Sequence, residues 1–451
     1  MLAVSSTEAP QQNPSPPGVT AAEPLRDGQI VLASAVDGAQ NTNGDLTRLV
    51  AEALSNNPQV RRKQAEAVAA WQRVPQVRGL PDPMLQATGF GEPQFMADGQ
   101  MWATLMVSQT IPYLKQLDAR GQEAAFDALM LQQETQATGL AVAADVEEAW
   151  YRLYLLGQLL RINEANRQLI APLVDVATGR VEVGETAPGD VVLGNLELSR
   201  VEEERLMLAQ QLATRKAALN RLLDRPADAV VAVPGSIEEP VAVESLEALR
   251  EIAFQRQPEV IAARLRTQAT AWGVRVARWE RVPEVTMLYE HMFMEVNPGE
   301  EGSDPWRVGV EMNVPLWRRK YLAMEREARQ ENFAAHQRVE EAIREYDSML
   351  VDLSAQSQAA EKTAGLYRDT ILPQARQALE VDQRAYGQGT VTFERVVGDA
   401  RNLLTAESAY YRAVAERAIA ITRLKQAAGG QFPAGVRELR VPEPLPAPLL
   451  D

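Results

Sequence analysis

The sequence predicts a mainly α-helical protein whose two short strand pairs contribute to a membrane β-barrel shared by three chains. Three observations carry this prediction. The chain repeats one plan at an interval of about 200 residues; each half holds two strand segments; and each half then runs for about 70 residues rich in Ala, Leu, Glu, Gln and Arg.

The repeat sets the domain organisation. "NPQVRRKQAEAVAAWQRVPQV" from Asn57 answers "QPEVIAARLRTQATAWGVRVARWERVPEV" from Gln257. "VSQTIPYLKQL" with Pro112 answers "EMNVPLWRRKYL" with Pro315, and "LIAPLVDVA" with Pro172 answers "TILPQARQA" with Pro373. "VGETAPGDVVLG" with Gly184 answers "QGTVTFERVVG" with Gly389, so the offsets are 200, 203, 201 and 205. Each copy reads helix, two strands, very long helix, turn, long helix. Residues 1–43 read as a Pro/Ser/Gln-rich flexible extension, 44–223 as the first repeat, 224–243 as a linker, 244–428 as the second repeat and 429–451 as a Pro-rich tail. The opening residues lack the basic start and apolar core of a signal peptide, which fits numbering from near a cleavage site or a chain that is not exported.

The strands come from strict alternation. In "WRVGVEMNVPLW" Trp306, Val308, Val310, Met312 and Val314 fall on one side, and Arg307, Gly309, Glu311 and Asn313 on the other. Strands are expected at 84–92 and 101–111, joined through "PQFMADGQ", and at 285–296 and 306–314, joined through "NPGEEGSDP". Their lengths suit tilted membrane-crossing strands.

The long runs, Lys115–Val183 and Arg318–Gly387, would each reach roughly 100 Å as continuous helix. Pro172 and Pro373 are expected to bend them near their far ends and are the hinge candidates, with Gly184 and Gly389 at the corners. The first returning helix carries Leu198, Val201, Leu208, Leu212, Leu219 and Leu222 in three- and four-residue steps, interrupted by Arg205 and Arg215. The second steps by seven through Leu403, Tyr410, Arg417 and Leu424. Both read as coiled-coil seams, which a helical hairpin exposed to water all round would explain equally well.

Composition excludes several function classes. Lys and Arg total 46 against 61 Asp and Glu, a net charge of −15 that argues against nucleic acid. There is no cysteine, and His291 and His336 are the only histidines. No Gly-rich phosphate loop, GxSxG or HExxH occurs, so neither catalytic residues, a cofactor nor a metal site is expected. No apolar run is long enough for a membrane-spanning helix.

The greasy strand faces therefore need another partner. The long helices use their apolar stripes on one another, and an unclosed four-stranded sheet invites aggregation. Three chains would supply twelve strands, an even number that can close around a polar lumen and present its apolar face to lipid. Val308, Val310 and Met312 would then face lipid, and Arg307, Glu311 and Asn313 are the lumen candidates. Met84, Met96, Met101, Met106, Met287, Met292, Met294 and Met312 cluster around these segments. They read first as flexible filler against lipid or within the hairpins, and second as a path for soft metals. His291 shares a face with Met287, Tyr289 and Phe293, an outward position rather than a metal ligand. Trp102, Tyr289, Trp306 and Trp317 suit an aromatic girdle, whereas Trp71 and Trp272 read as packing residues.

"SQTIPYLKQL", "YRDTILPQARQALEVDQRAYGQGTVTFERVV" and "LTAESAYYRAVAERAIAITRL" resemble the TolC-like outer-membrane efflux family, in wording nearest its heavy-metal branch. The resemblance covers residues 44 to 428 and implies a homotrimer with an outer-membrane barrel and an α-helical periplasmic tunnel. It further implies a non-enzymatic exit duct for an inner-membrane transporter, with a periplasmic adaptor docked on the helical tips. At the tip the family places Tyr, Gly and paired Asp; Tyr386 and Gly389 match, but the Asp positions fall on Arg395 and Gly398, with Glu394 and Asp399 beside them. Either those acids shift the charge by one position or Arg395 pairs with an acid. Glu182, Glu185, Asp190, Tyr386, Glu394, Arg395 and Asp399 are the tip candidates, the acids forming an acidic mouth when tripled. The competing readings are a periplasmic helical-hairpin adaptor, against which two hairpins and two strand pairs count, and a soluble helical scaffold.

Overall fold

The computed structural model describes residues 42–96, 99–184, 187–237, 245–295 and 304–430. The extension up to residue 41, Glu185, the end of the linker, most of the second hairpin loop and the tail from 431 lie outside the described residues.

The first half runs α1 (Thr42–Asn56), α2 (Pro58–Arg78), β1 (Met84–Met96), β2 (Gly99–Ile111), α3 (Leu114–Glu182) and α4 (Gly189–Leu222). The second runs α5 (Leu246–Arg256), α6 (Pro258–Trp279), β3 (Val285–Glu295), β4 (Trp306–Met312), α7 (Arg318–Leu366), α8 (Leu372–Gly387) and α9 (Phe393–Ala427). Both α2 and α6 start at a proline, whose missing N–H costs nothing at a helix start. Asn57 caps α2 by accepting from the Gln59 N–H at 2.8 Å. Its amide also donates to Leu222 O at 3.0 Å, tying the start of α2 to the end of α4.

Helix α3, at 69 residues about 100 Å long, is the spine, packed by α2, α4, α6 and α9. It runs unbroken through Pro172. The matching rod of the second half is interrupted instead: a π-helical turn at Tyr367–Ile371 precedes Pro373, which sits in the first turn of α8. A single π turn releases the backbone bond that proline cannot make, so the two prolines occupy different local structures.

Buried positions recur between the halves. Leu49, Ala53 and Val60 pack with Val146, Trp150 and Leu219, while Leu249, Ala253 and Val260 pack with Tyr346, Leu350 and Leu424. A third cluster, built from Ile170, Val174, Val201, Leu379, Tyr386, Phe393, Val396 and Val397, fills the far end of the helices. The α4 seam is largely buried, with Val201, Leu208, Leu219 and Leu222 in the core. In α9 the seam is finer than the large residues suggest: Ala406, Ala413, Ala420 and Ala427 recur every seven residues and all are buried. Small side chains there let α9 lie close along α3 and α7. The described linker runs against α3, where Gln158 donates to Gly235 O at 2.9 Å and Val231 enters the core.

The four strands form one antiparallel sheet in the order β1-β2-β3-β4. β1 reaches Met96, longer than its alternating stretch, because an irregularity between Gly89 and Gln94 restores register with β2. β4 stops at Met312, short of the expected 314: Asn313 turns its side chain to accept from the Glu284 N–H at 2.6 Å.

Candidate functional site

Two regions carry functional geometry: the sheet and the helical tip. Register decides the sheet's two faces. Leu85 pairs with Val107, Val107 with Tyr289 and Tyr289 with Val308, one apolar row across all four strands. Those residues are 70%, 41%, 43% and 69% exposed, and Met287, Val310, Met312 and Trp306 beside them are also exposed. Fully burying one such side chain stabilises by about 1.5–3 kcal/mol, so leaving the row in water forfeits several kcal/mol. His291 lies on this face, its ring edge-on to Phe293 at 4.8 Å and 3.7 Å from Asp304. Trp102 packs on Phe293 at 5.6 Å, and Tyr289 stacks on Trp306 at 6.3 Å.

The opposite face is polar and concave. Gln86, Met106, Glu290 and Arg307 form one row, and Thr88, Thr104 and Met292 the next. Arg307 donates to Glu290, whose side chain is only 12% exposed. Glu311 is exposed opposite Thr286, whose hydroxyl lies 2.9 Å from that of Thr110. Arg307 and Glu311 thus share the polar face, while the side chain of Asn313 is spent on the backbone beyond the strand. The outer strands β1 and β4 each keep one edge without a neighbour among the described residues.

At the tip, α3 and α8 end in Gly184 and Gly389 with φ +75° and +77°, a conformation glycine adopts without strain. Glu182 is exposed at the end of α3, Asp190 lies half-buried in the first turn of α4, and Glu394 is exposed in the first turn of α9. Tyr386 is 2% exposed, its ring 5.7 Å from Phe393 and beneath the Arg180 guanidinium at 5.2 Å. Arg180 also donates to Tyr386 O at 2.9 Å. Tyr386 therefore binds the tip together within one chain rather than lining an opening, because its ring completes the tip core. Burial pushes its hydroxyl above the ordinary tyrosine range.

Arg395 donates to Asp382 at 2.6 Å, the pairing alternative raised by the sequence. This bond holds the Asp382 carboxyl below its ordinary range. Burial, and then the neighbouring Asp382, push Asp399 upward, and Asp399 Oδ2 is buried without a hydrogen-bond partner. Glu394 and Asp399 thus occupy different settings, one in solvent and one turned inward. Sequence reasoning missed Glu197: 5% exposed, it is gripped by Arg401 of α9, whose Nε donates at 2.8 Å, and by Arg200 at 3.4 Å. The Arg401 grip is lowest-cost for Glu197 when charged, so its carboxyl lies below the usual range. Only the i, i+3 pair with Arg200 was visible in the sequence.

Among the described residues no group of three or more His, Cys, Asp or Glu could hold a metal, and no helix is long and apolar enough to cross a membrane. Residues 249–430 match the family described as Outer membrane efflux protein. The fold agrees over nearly the whole chain with a membrane protein from Pseudomonas aeruginosa, at TM-score 0.75 and 19% identity, covering 86% of this chain and 90% of that one. The second half of the chain thus carries that family's sequence pattern, and nearly the whole chain shares its fold with outer-membrane channels. The outer membrane protein VceC of Vibrio cholerae shares this fold at TM-score 0.71 and 21% identity, over 86% of this chain and 97% of that one. The open-state MtrE outer membrane channel of Neisseria gonorrhoeae does so at TM-score 0.67 and 15% identity, over 85% and 89%. A comparison with curated proteins found no match.

Proposed function

We propose that this chain is the outer-membrane exit duct of a tripartite efflux system, working as a homotrimer with a periplasmic adaptor and an inner-membrane transporter. The observation that carries the reading is the sheet: four strands, open at both edges, with an exposed apolar row on one face and a polar concavity on the other. Three such sheets joined edge to edge satisfy every backbone group and give the apolar row to lipid, the condition for a strand-built membrane span. The helices carry the tube about 100 Å onward into the periplasm. Transport is conduction, and the tips open and close it. The acids Glu182, Asp190 and Glu394 line the mouth, and Pro172 and Pro373 are the places where the rods bend to open it.

The test is behaviour in a membrane. The purified protein should need detergent, run as a trimer and give discrete conductance steps in a planar bilayer. A monomer stable in plain buffer, without conductance, would refute the duct and favour a soluble scaffold. Replacing Glu394 by Gln should weaken the preference for cations if the exposed acids set it.

A further inference from the structure

We propose that Met101, Met106 and Met292 form a thioether binding site for soft monovalent cations, Ag(I) or Cu(I), on the polar face of the sheet. The assignment rests on the duct reading only in taking that face to line the water-filled lumen.

The observation is where these methionines point. As lipid-facing filler they belong on the apolar face, where Met287 and Met312 lie. Instead all three line a concavity of about 310 Å³ on the opposite face, together with Gln86, Thr88, Thr104 and Glu290. Apart from Leu288 and Phe90, the apolar side chains on this face are methionines. Strand pairing brings them together: Met292 is opposite Thr104, Met106 opposite Glu290 one step diagonal to Met292, and Met101 opposite Met294. Cross-strand diagonals of this kind lie within reach of long side chains. Met101 is buried and Met106 and Met292 are half-buried, and all three border this hollow rather than the face given to lipid.

Chemistry then selects the ligand. A thioether is uncharged and polarisable, a poor donor to hard cations and a good one to Cu(I) and its analogue Ag(I). The nearest carboxylate, Glu290, is engaged by Arg307, so the hollow offers no free anionic charge to calcium or magnesium. Sulfur-only ligation without a formal charge gives modest affinity, which suits a conduit: an ion must enter and also leave.

The test uses the purified full chain in detergent and silver nitrate in chloride-free buffer; the protein has no cysteine to compete. Wild type should bind Ag(I) saturably in a calorimetric titration. The triple variant Met101→Leu, Met106→Leu, Met292→Leu, close to volume-conserving, should lose at least about tenfold in affinity. The double variant Met287→Leu, Met312→Leu on the apolar face should bind as wild type does. Should the triple variant fail to fold, methyl-13C-methionine spectra of the unmodified protein give the same answer: silver should shift the methyl signals of Met101, Met106 and Met292 and leave those of Met287 and Met312. Absence of saturable binding, equal binding by the triple variant, or shifts confined to the apolar face would overturn the site. Conductance measured on the same samples separates the two readings. A channel that conducts without binding silver loses the site and keeps the duct, whereas silver bound at these methionines without conductance keeps the site and loses the duct.

Discussion

Phe393 is the residue on which the tip closes, and removing its ring gives a quantitative test of the architecture. It is fully buried against Tyr386, Val174 and Gly194, at the meeting point of α3, α4, α8 and α9. Phe393→Ala deletes a whole buried ring, which costs about 3–5 kcal/mol when the surroundings cannot collapse into the space. Collapse is hindered here. Gly194 has no side chain to extend, and a Cβ built on it would already lie 2.5 Å from Val174 and 3.1 Å from the ring. The lost contact with Tyr386 adds about 1 kcal/mol, which places the expected loss in the upper part of that range. Because none of the tip residues belongs to the two recurring clusters around Leu49 and Leu249, the damage should stay local. Hydrogen exchange reads this directly. Amides in the first turns of α9 and the last turn of α8 should lose about a thousandfold in protection, since each 1.4 kcal/mol is tenfold. Those around Leu49 and Leu249 should be unchanged. Tip protection within about tenfold of wild type, or an equal loss around Leu49 and Leu249, would refute the reasoning.

Asp382 and Asp399 give a pH prediction. Asp399 titrates above its ordinary value in the fold, so its contribution is full in acid and lost as pH rises through the raised value. Asp382 is held low by Arg395, so its contribution is present above the ordinary aspartate range and lost as pH falls. Asp399→Asn should therefore raise tip protection at about pH 8 and show a shrinking advantage toward about pH 4, and a variant less stable throughout would contradict the placement of Asp399. Glu197→Gln strands two arginines and should loosen α4 from α9, seen as faster exchange at both; unchanged exchange would mean the ion pair adds nothing to the helix contact. Gly389→Ala forces a side chain into a left-handed turn 3.2 Å from Arg180 and should lower tip stability by about 1 kcal/mol in the same experiment. Asn57→Ala removes both a helix cap and the tie to Leu222, and should lower the thermal midpoint through a loss of about 1–3 kcal/mol.

The strands were legible because period two is a local property. Trp306, Val308, Val310 and Met312 alternate by chain geometry alone, and the structure keeps them on one face. Helix lengths and corners were legible for the same reason, through Gly184, Gly389 and the uninterrupted helix-forming runs. Properties that depend on what lies opposite were not. Arg395 is as exposed in a helix pattern as any arginine, and nothing nearby in sequence reveals that Asp382, a turn of another helix, meets it. Tyr386 reads as a tip residue, yet packing against Phe393 and Arg180 carries it inside. The alanine seam of α9 was hidden because alanine marks a close approach only once the neighbouring helix is in place. The π turn before Pro373, absent at Pro172, depends likewise on how each rod is packed.

The edges of the sheet offer the most direct test of the whole account. β1 and β4 are separated by two intervening strands, about 14 Å, beyond the reach of a disulfide within one chain. Cysteines placed in this cysteine-free sequence at Leu85 or Ala87 on β1, paired in turn with Val308 or Val310 on the same face of β4, should cross-link between chains in outer-membrane fractions and give covalent trimers on a denaturing gel in at least one register. Monomers in every register would contradict the barrel.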